Sequence, residues 1–369
     1  MELRILNTDF QDVDIIDSYE SLIWVERYRE CGDFELYTSL VHPYVPNLIP
    51  GYYLKLQDSD HTMIIEDLEI KADPENGAKL TITGRSLESI LERRVAWTNT
   101  AVTGNVQDGL KYLFDSNIGE RAGSRRVSNF VFLKSDDPAV TELTCETTNL
   151  LGESLYDIAA TICKEKKLGF RIVLNNANQF VFLFYSGVDR SYNQNERPWV
   201  VFSPNYENLA GSNYVEKTST HKNVALILGK ESVATTGPDI TDVITTLVAI
   251  GDAVGLDRRE LFVDATNVSN TYKDSSGQQT MYEHEEYKKL IEPKGYEALA
   301  KNVKTVTFDG ECDTDSTYRY RQDFGMGDIV QIEDEYGHQA TSRVVELIRS
   351  SDSSGEFTYP TFESIEEGD

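Results

Sequence analysis

The chain has 369 residues, 40% hydrophobic and 26% charged, an ordinary globular composition that excludes a disordered or fibrous protein. Its 62 Asp plus Glu against 35 Lys plus Arg give a formal net charge of -27, so it repels phosphate, and a grip on DNA or RNA would need a local basic patch. The basic clusters (Arg93-Arg94, Arg125-Arg126, Lys164 to Lys167, Arg258-Arg259) are short and scattered, as solvated faces and salt-bridge partners are.

No run reaches the roughly 18 apolar residues of a membrane span. The opening Met1 to Asp9 has no apolar signal region, so synthesis and maturation in the cytoplasm are expected. Cys31, Cys145, Cys163 and Cys312 lie far apart without a C-x-x-C pair, against a disulfide framework or a zinc knuckle.

Residues 1–97 read as strands. Asp12 to Ile16 and Ser21 to Tyr28 are short and β-rich. Gly32 to Tyr37 alternates, with Phe34 and Leu36 on one face. Tyr52 to Leu56, Met63 to Ile70 and Leu80 to Gly84 follow, and Asp73-Pro74-Glu75-Asn76-Gly77 is a turn signal. The simplest unit is a small antiparallel barrel or curled sheet. Gly84 is read as a tight corner needing positive φ, so Gly84→Val is expected to impair folding or assembly. Ser86 then caps a short helix to Arg94 with Leu87, Ile90 and Leu91 as its stripe.

Residues 98–205 read as mixed α/β. Val106, Leu110, Leu113 and Phe114 share one helical face. So do Leu155, Ile158, Ala159 and Ile162, with Gly169 placed as a C-cap. Strands are expected at Phe130 to Leu133, Phe170 to Leu174 and Phe180 to Tyr185, the last two joined by the Asn175 to Asn178 loop. In 206–369 strands return at Asn223 to Leu228, Thr245 to Ile250, Glu260 to Val263, Val303 to Phe308, Asp328 to Ile332 and Ser342 to Ile348. A helical insertion over about 281–303 interrupts them. Its first part, Glu283 to Ile291, groups Tyr287, Leu290 and Ile291. Pro293 breaks it and Tyr296 to Lys301 resumes it. After Pro360-Thr361-Phe362 an acidic tail is expected to fray. The fold class is α+β, mostly β.

A weak internal echo is present. Gly51 is followed by Leu54, Leu56 and Asp58, and Gly327 by Val330, Ile332 and Asp334 at the same offsets. It has two readings, a duplicated small barrel or the shared grammar of β-hairpins.

Catalytic grammar is missing. The sequence has no G-x-S-x-G, H-E-x-x-H, P-loop or G-x-G-x-x-G pattern. His284-Glu285-Glu286 lacks a second His four residues on, and Asp313-Thr314-Asp315 is half a calcium loop, read as a polar turn. Carboxylates are abundant because the chain is acidic, so abundance does not place a glycosidase pair. Cys163 lies beside the apolar stripe of its helix and is read as core. No catalytic, cofactor-binding or metal-ligating residue is therefore assigned and no cofactor is expected. A structural or assembly role fits, with 20 Tyr suiting both sheets and interfaces.

Five segments in order carry a resemblance. They are Gly32-Asp33-Phe34-Glu35-Leu36; Met63-Ile64-Ile65-Glu66; Gly84-Arg85-Ser86-Leu87 running to Val95; Arg258-Arg259-Glu260-Leu261-Phe262-Val263-Asp264; and Tyr320 to Val330, containing Gly325, Gly327 and Asp328. Pro360-Thr361-Phe362 closes the pattern. The chain resembles the tail-tip or baseplate hub proteins of tailed bacteriophages, related to the N-terminal region of tail-associated lysins. Type VI secretion spike proteins share that architecture.

The resemblance implies two small β-barrel domains, 1–97 and 206–369, with 98–205 inserted. It implies a homotrimer whose six barrels adapt a six-fold tail tube to a three-fold tip. The implied role is a non-enzymatic virion protein that closes the distal end of the tube and opens for DNA ejection. The implied partners are the distal tail protein or tail tube, the tape measure, and tip or fibre proteins. Phage DNA would pass without specific binding, helped by a negative lumen. The implied location is the virion tail tip, after assembly in the host bacterial cytoplasm. The given chain ends at Asp369, soon after Pro360-Thr361-Phe362, so lytic or fibre activity is not expected to carry over. The competing readings are a host-surface glycan- or protein-binding module and a cell-wall-degrading enzyme.

Overall fold

The computed structural model describes all residues except 74–76, 99, 231, 234–240, 243, 252, 274–276, 303–304, 313–316 and 366–369. The centre of the Asp73 to Gly77 turn, the Asp313-Thr314-Asp315 turn and the last acidic residues lie outside the described residues. By internal contacts the chain divides into a larger unit, Met1–Asn213 with Phe308–Ile365, and a smaller one, Tyr214–Thr307.

The chain opens with β1 (Leu3–Leu6), β2 (Asp12–Ile16), β3 (Ser21–Arg27), β4 (Asp33–Ser39), β5 (Tyr53–Leu56), β6 (Thr62–Asp73) and β7 (Gly77–Ser86). These strands alternate as their sequence predicts. Phe34 and Leu36 are buried while Glu35 between them is exposed. Their inward faces make one core around Trp24, Phe34, Leu54, Ile65 and Ile82.

A 3-10 helix, Leu87–Arg93, follows. It buries Leu87, Ile90 and Leu91, but the Ser86 side chain makes no cap bond to it. Ser86 Oγ instead accepts from Gly32 N at 2.8 Å, so the serine ties the end of β7 to the residue just before β4.

The middle of the chain forms β8 (Val102–Asn105), α1 (Val106–Asn117), β9 (Phe130–Leu133), α2 (Pro138–Thr141), β10 (Thr144–Thr147), α3 (Leu155–Lys166), β11 (Gly169–Leu174), β12 (Phe180–Tyr185) and β13 (Val201–Phe202). Asn105 caps α1 by accepting from Gln107 N and Asp108 N, and Ser154 caps α3 by accepting from Asp157 N. The predicted stripes of both helices are buried, against the sheet β11-β12-β9, in a core with Phe130, Phe170 and Phe182. Each such side chain contributes about 1.5–3 kcal/mol of hydrophobic stabilisation. Cys163 lies fully inside this core. The α3 C-cap is not Gly169 but Lys167, at φ +58°, and Gly169 already begins β11.

Next come β14 (Leu209–Lys217), β15 (Val224–Leu228), β16 (Ser232–Val233), β17 (Thr241–Asp242), β18 (Thr245–Ala249), β19 (Glu260–Asp264), β20 (Thr271–Lys273), β21 (Gln279–Met281) and α4 (His284–Ala300). In the smaller unit α4 packs on the sheet β18-β15-β19 through Tyr287, Ile291 and Leu299. The break expected at Pro293 is absent. The buried stripe Tyr287, Ile291, Gly295, Leu299 runs through it at a spacing of four, while Pro293 faces solvent, where water can satisfy the carbonyl it frees. Leu290, expected in that stripe, is exposed.

The chain ends with β22 (Thr305–Cys312), β23 (Ile329–Glu333), β24 (Gln339–Asp352) and β25 (Gly355–Ser364). Strand β22 pairs with β14. The other three, together with β13, extend the opening sheet to 11 strands in the order β13-β23-β24-β3-β4-β7-β6-β5-β1-β2, with β25 also on β24. β25 runs two residues beyond Phe362 before the described residues end at Ile365.

The Gly51 and Gly327 segments match bond for bond. Both glycines have positive φ, +90° and +88°. Gly51 N donates to Ile65 O and Gly327 N to Val344 O, each at 2.8 Å. Ile65 N returns a bond to Tyr52 O and Val344 N to Asp328 O. Each long strand then carries a register shift one residue on, between Ile65 and Asp67 in β6 and between Val344 and Glu346 in β24. Thus β5-β6-β7 and β23-β24-β25 repeat one bulged meander, a closer match than hairpin alternation requires.

Candidate functional site

The motif residues of the first 97 positions converge at one corner. Asp33 pairs with Arg85, and Phe34 with Gly84, across β4 and β7. Arg85 bonds Glu66 Oε2 at 2.8 Å and both Glu92 oxygens at 2.8 Å, tying the β6 bulge to the 3-10 helix. Arg27 engages Asp33 and also donates to Glu346 at 2.6 Å. Leu87 and Phe34 are core. Gly84 lies within β7, outside the left-handed φ region, which corrects the corner reading. It is glycine because a Cβ there would lie 1.8 Å from Ile64 O and 2.8 Å from Phe34 Cε1. Gly84→Val is therefore expected to cost about 1–3 kcal/mol or more by overpacking. Thermal melting of the variant checks this, and a wild-type melting temperature would remove the argument.

Gly325, Gly327 and Asp328 form a second node. The Asp328 carboxylate accepts from Val188 N at 2.7 Å, Arg190 Nε at 2.9 Å and Gly325 N at 2.9 Å. It clamps the segment after β12 to the start of β23. Gly327 O accepts from Arg343 Nη1 at 2.8 Å.

Arg259 and Glu260 belong to the smaller unit and do not join these nodes. Arg259 O accepts from Asn223 N and Val224 N at the head of β15, and Glu260 pairs with Arg258 at 2.6 Å. Exposed Glu283, Glu285 and Glu286 flank His284 at the start of α4. Among the described residues no three His, Cys, Asp or Glu side chains are grouped to hold a metal, and no helix is long and apolar enough to cross a membrane.

Two nodes carry no signal in the sequence. The first is Tyr28, fully buried at the end of β3. Its hydroxyl donates to Lys167 O at 3.2 Å, with Tyr185 O at 3.4 Å. Its backbone N donates to Val345 O, and its O accepts from Phe170 N. Its ring meets the edge of Tyr185 at 5.2 Å and lies under Arg343 and Arg29. A Cβ on Gly169 or Gly327 would come within 2.3 or 2.4 Å of that ring. Burial pushes the Tyr28 hydroxyl above its ordinary range, against the pull of Arg343 and Arg29. Tyr28 thus joins the opening strands, the inserted α/β segment and the returning strands.

The second is a buried polar group. His61 lies 4.0 Å from Glu26 and 3.8 Å from Glu88. Glu26 also accepts from Ser59 Oγ at 2.7 Å and lies 3.6 Å from Arg349, while Glu88 accepts from Ile172 N at 2.7 Å. These bonds again tie the same three segments together. The groove beside Tyr28, about 370 Å³, is lined by four charged residues that pair within the chain, Arg27 with Glu346 and Arg29 with Glu363, and also by Glu30 and Lys164. What the geometry does is hold separate parts of the chain in one register.

The family model of the siphovirus ReqiPepy6 Gp37-like proteins matches residues 2–362, and the chain belongs to that family. In fold it is similar to the tail protein from Neisseria meningitidis MC58, with a TM-score of 0.58, 12% identity and coverage of 99% of this chain and 96% of that one. It is similar to the 43 kDa tail protein of prophage MuSo2 from Shewanella oneidensis, at 0.58, 12%, and 98% of each chain. The prophage tail protein gp18 from Listeria monocytogenes EGD-e gives 0.56 and 10%, covering 100% and 96%. No curated protein matches it in sequence. The chain is thus a mostly β member of the Gp37-like family, with a fold similar to that of these phage tail proteins.

Proposed function

We propose that this protein is a homotrimeric hub that closes the distal end of a tail tube at the tail tip. In this reading each subunit supplies two small β-barrels, from 1–97 and from 206–369, with 98–205 inserted and a helical insertion over about 281–303. The observation that carries it is the repeated meander at 51–86 and 327–364, with the same glycine conformation, the same backbone bonds and the same bulge. Two like modules per subunit let three subunits offer six like faces to a six-fold tube, through heterologous, ring-closing contacts. The paired charges of the Tyr28 groove and the Asp328 clamp support a rigid scaffold. The partners are the tail tube or distal tail protein, the tape measure, and tip or fibre proteins. DNA passes through without specific binding, and the net charge of -27 supports a bore that does not hold phosphate. The protein acts in the virion, after assembly in the host cytoplasm, and not as an enzyme.

Light scattering after size exclusion tests the trimer. The expected mass is about 125 kDa, three times 41.7 kDa. A 41.7 kDa species that persists at every concentration overturns the reading.

A further inference from the structure

We propose that the outer edge of β6, residues 67–72, seats the β14 strand (Leu209–Lys217) of a second copy of this chain; this rests on the trimer reading and specifies its contact. The two meanders differ in what lies on the long strand. After its bulge, β24 is paired on both sides, with β25 on one and β3 on the other. The β3 register runs from Glu346 opposite Arg27 to Ser351 opposite Leu22. In β6 the same stretch, from Asp67 on, pairs only with β7, and among the described residues no strand lies on its other side.

Equivalent side chains record the difference. Leu347, opposite Pro360, is fully buried under β3. Leu68, at the matching place opposite Ile82, is 37% exposed, and Ile70 two residues on is 59% exposed. Glu69 and Lys71 alternate with them and pair with each other at 3.0 Å. An open edge with two apolar side chains is a template for strand addition.

The order of strands names the occupant. In the first repeat the paired strands β3 and β4 precede the meander, and β3 is the one that docks on β24. In the second, the paired strands β14 and β22 stand in the same place before β23-β24-β25. Strand β14 is therefore the counterpart of β3, and among the described residues its only strand partner is β22. Placing β14 of one copy antiparallel on β6 of the next reproduces between chains the pairing that β3 and β24 make within one. The two edges are different surfaces, so the contact is head-to-tail and propagates until a ring closes.

Two measurements test this on the full chain. Leu68→Lys combined with Ile70→Lys blunts the edge with charges that exposed strands tolerate. The variant is expected to keep the wild-type circular dichroism and melting curve but to run as a monomer by light scattering. In parallel, p-benzoylphenylalanine replacing Ile70 is expected to give light-dependent cross-links between copies, mapping to 209–217 by mass spectrometry. A wild-type trimer that cross-links elsewhere, and survives the double substitution, overturns this edge while leaving the hub reading intact. A wild type that never trimerises overturns both. If the double variant does not fold, the cross-link map decides alone.

Discussion

Tyr28→Ala is expected to destabilise the larger unit by about 3–5 kcal/mol, the range for removing a large buried aromatic side chain. The ring is fully buried and touches two segments far from it in the chain, the β11-β12 hairpin at Gly169 and Tyr185 and the turn at Gly327. Its removal opens a cavity against two glycines, which have no side chains to move into it. Tyr28→Phe keeps the ring and loses only the hydroxyl bonds to Lys167 O and Tyr185 O, so about 1 kcal/mol is expected. The shift of the larger unit's urea transition measures both. Equal losses in the two variants would assign the effect to the hydroxyl, and no loss in Tyr28→Ala would remove Tyr28 as a junction.

Asp328→Ala is expected to cost about 3–5 kcal/mol, the range for breaking a buried charge pair from one side. The carboxylate is buried and holds three donors, two of them backbone amides of different segments. Without it, Val188 N and Gly325 N lose their acceptor and Arg190 keeps a partly buried charge with no counterion on that side. A double-mutant cycle with Arg190→Ala should give a coupling of about 1.5–3 kcal/mol, the value for hydrogen bonds to charged groups. Strict additivity would show that Arg190 does not contribute to the clamp.

Local pattern was legible wherever one element buries one face. The stripes Val106, Leu110, Leu113, Phe114 and Leu155, Ile158, Ala159, Ile162 appear as helices, and the alternation of Phe34 and Leu36 appears as a strand. The offsets after Gly51 and Gly327 were also readable, because a positive φ closed by an alternating strand leaves a regular spacing. Readings that relied on a residue's usual local role went astray. Ser86 bonds Gly32, just before β4, rather than its own helix, Gly169 makes room for Tyr28 rather than capping α3, and Pro293 sits within α4 instead of ending it. In each case packing outweighed a local preference of about 1–3 kcal/mol.

The amino-acid order by itself determined the β-rich class, the two amphipathic helices of the middle segment, the core faces and the matching offsets after Gly51 and Gly327, since these follow from period and turn chemistry between near neighbours. Only the tertiary structure decided that Tyr28, one of 20 tyrosines, is the junction, that Glu26, His61 and Glu88 share one buried pocket, and that β24 is covered where β6 is open. Several of those contacts join residues far apart in the chain, 139 positions between Tyr28 and Lys167 and 84 between Glu88 and Ile172. Neither partner carries a mark of the other in its own neighbourhood, because burial and close approach are set by where whole strands come to lie.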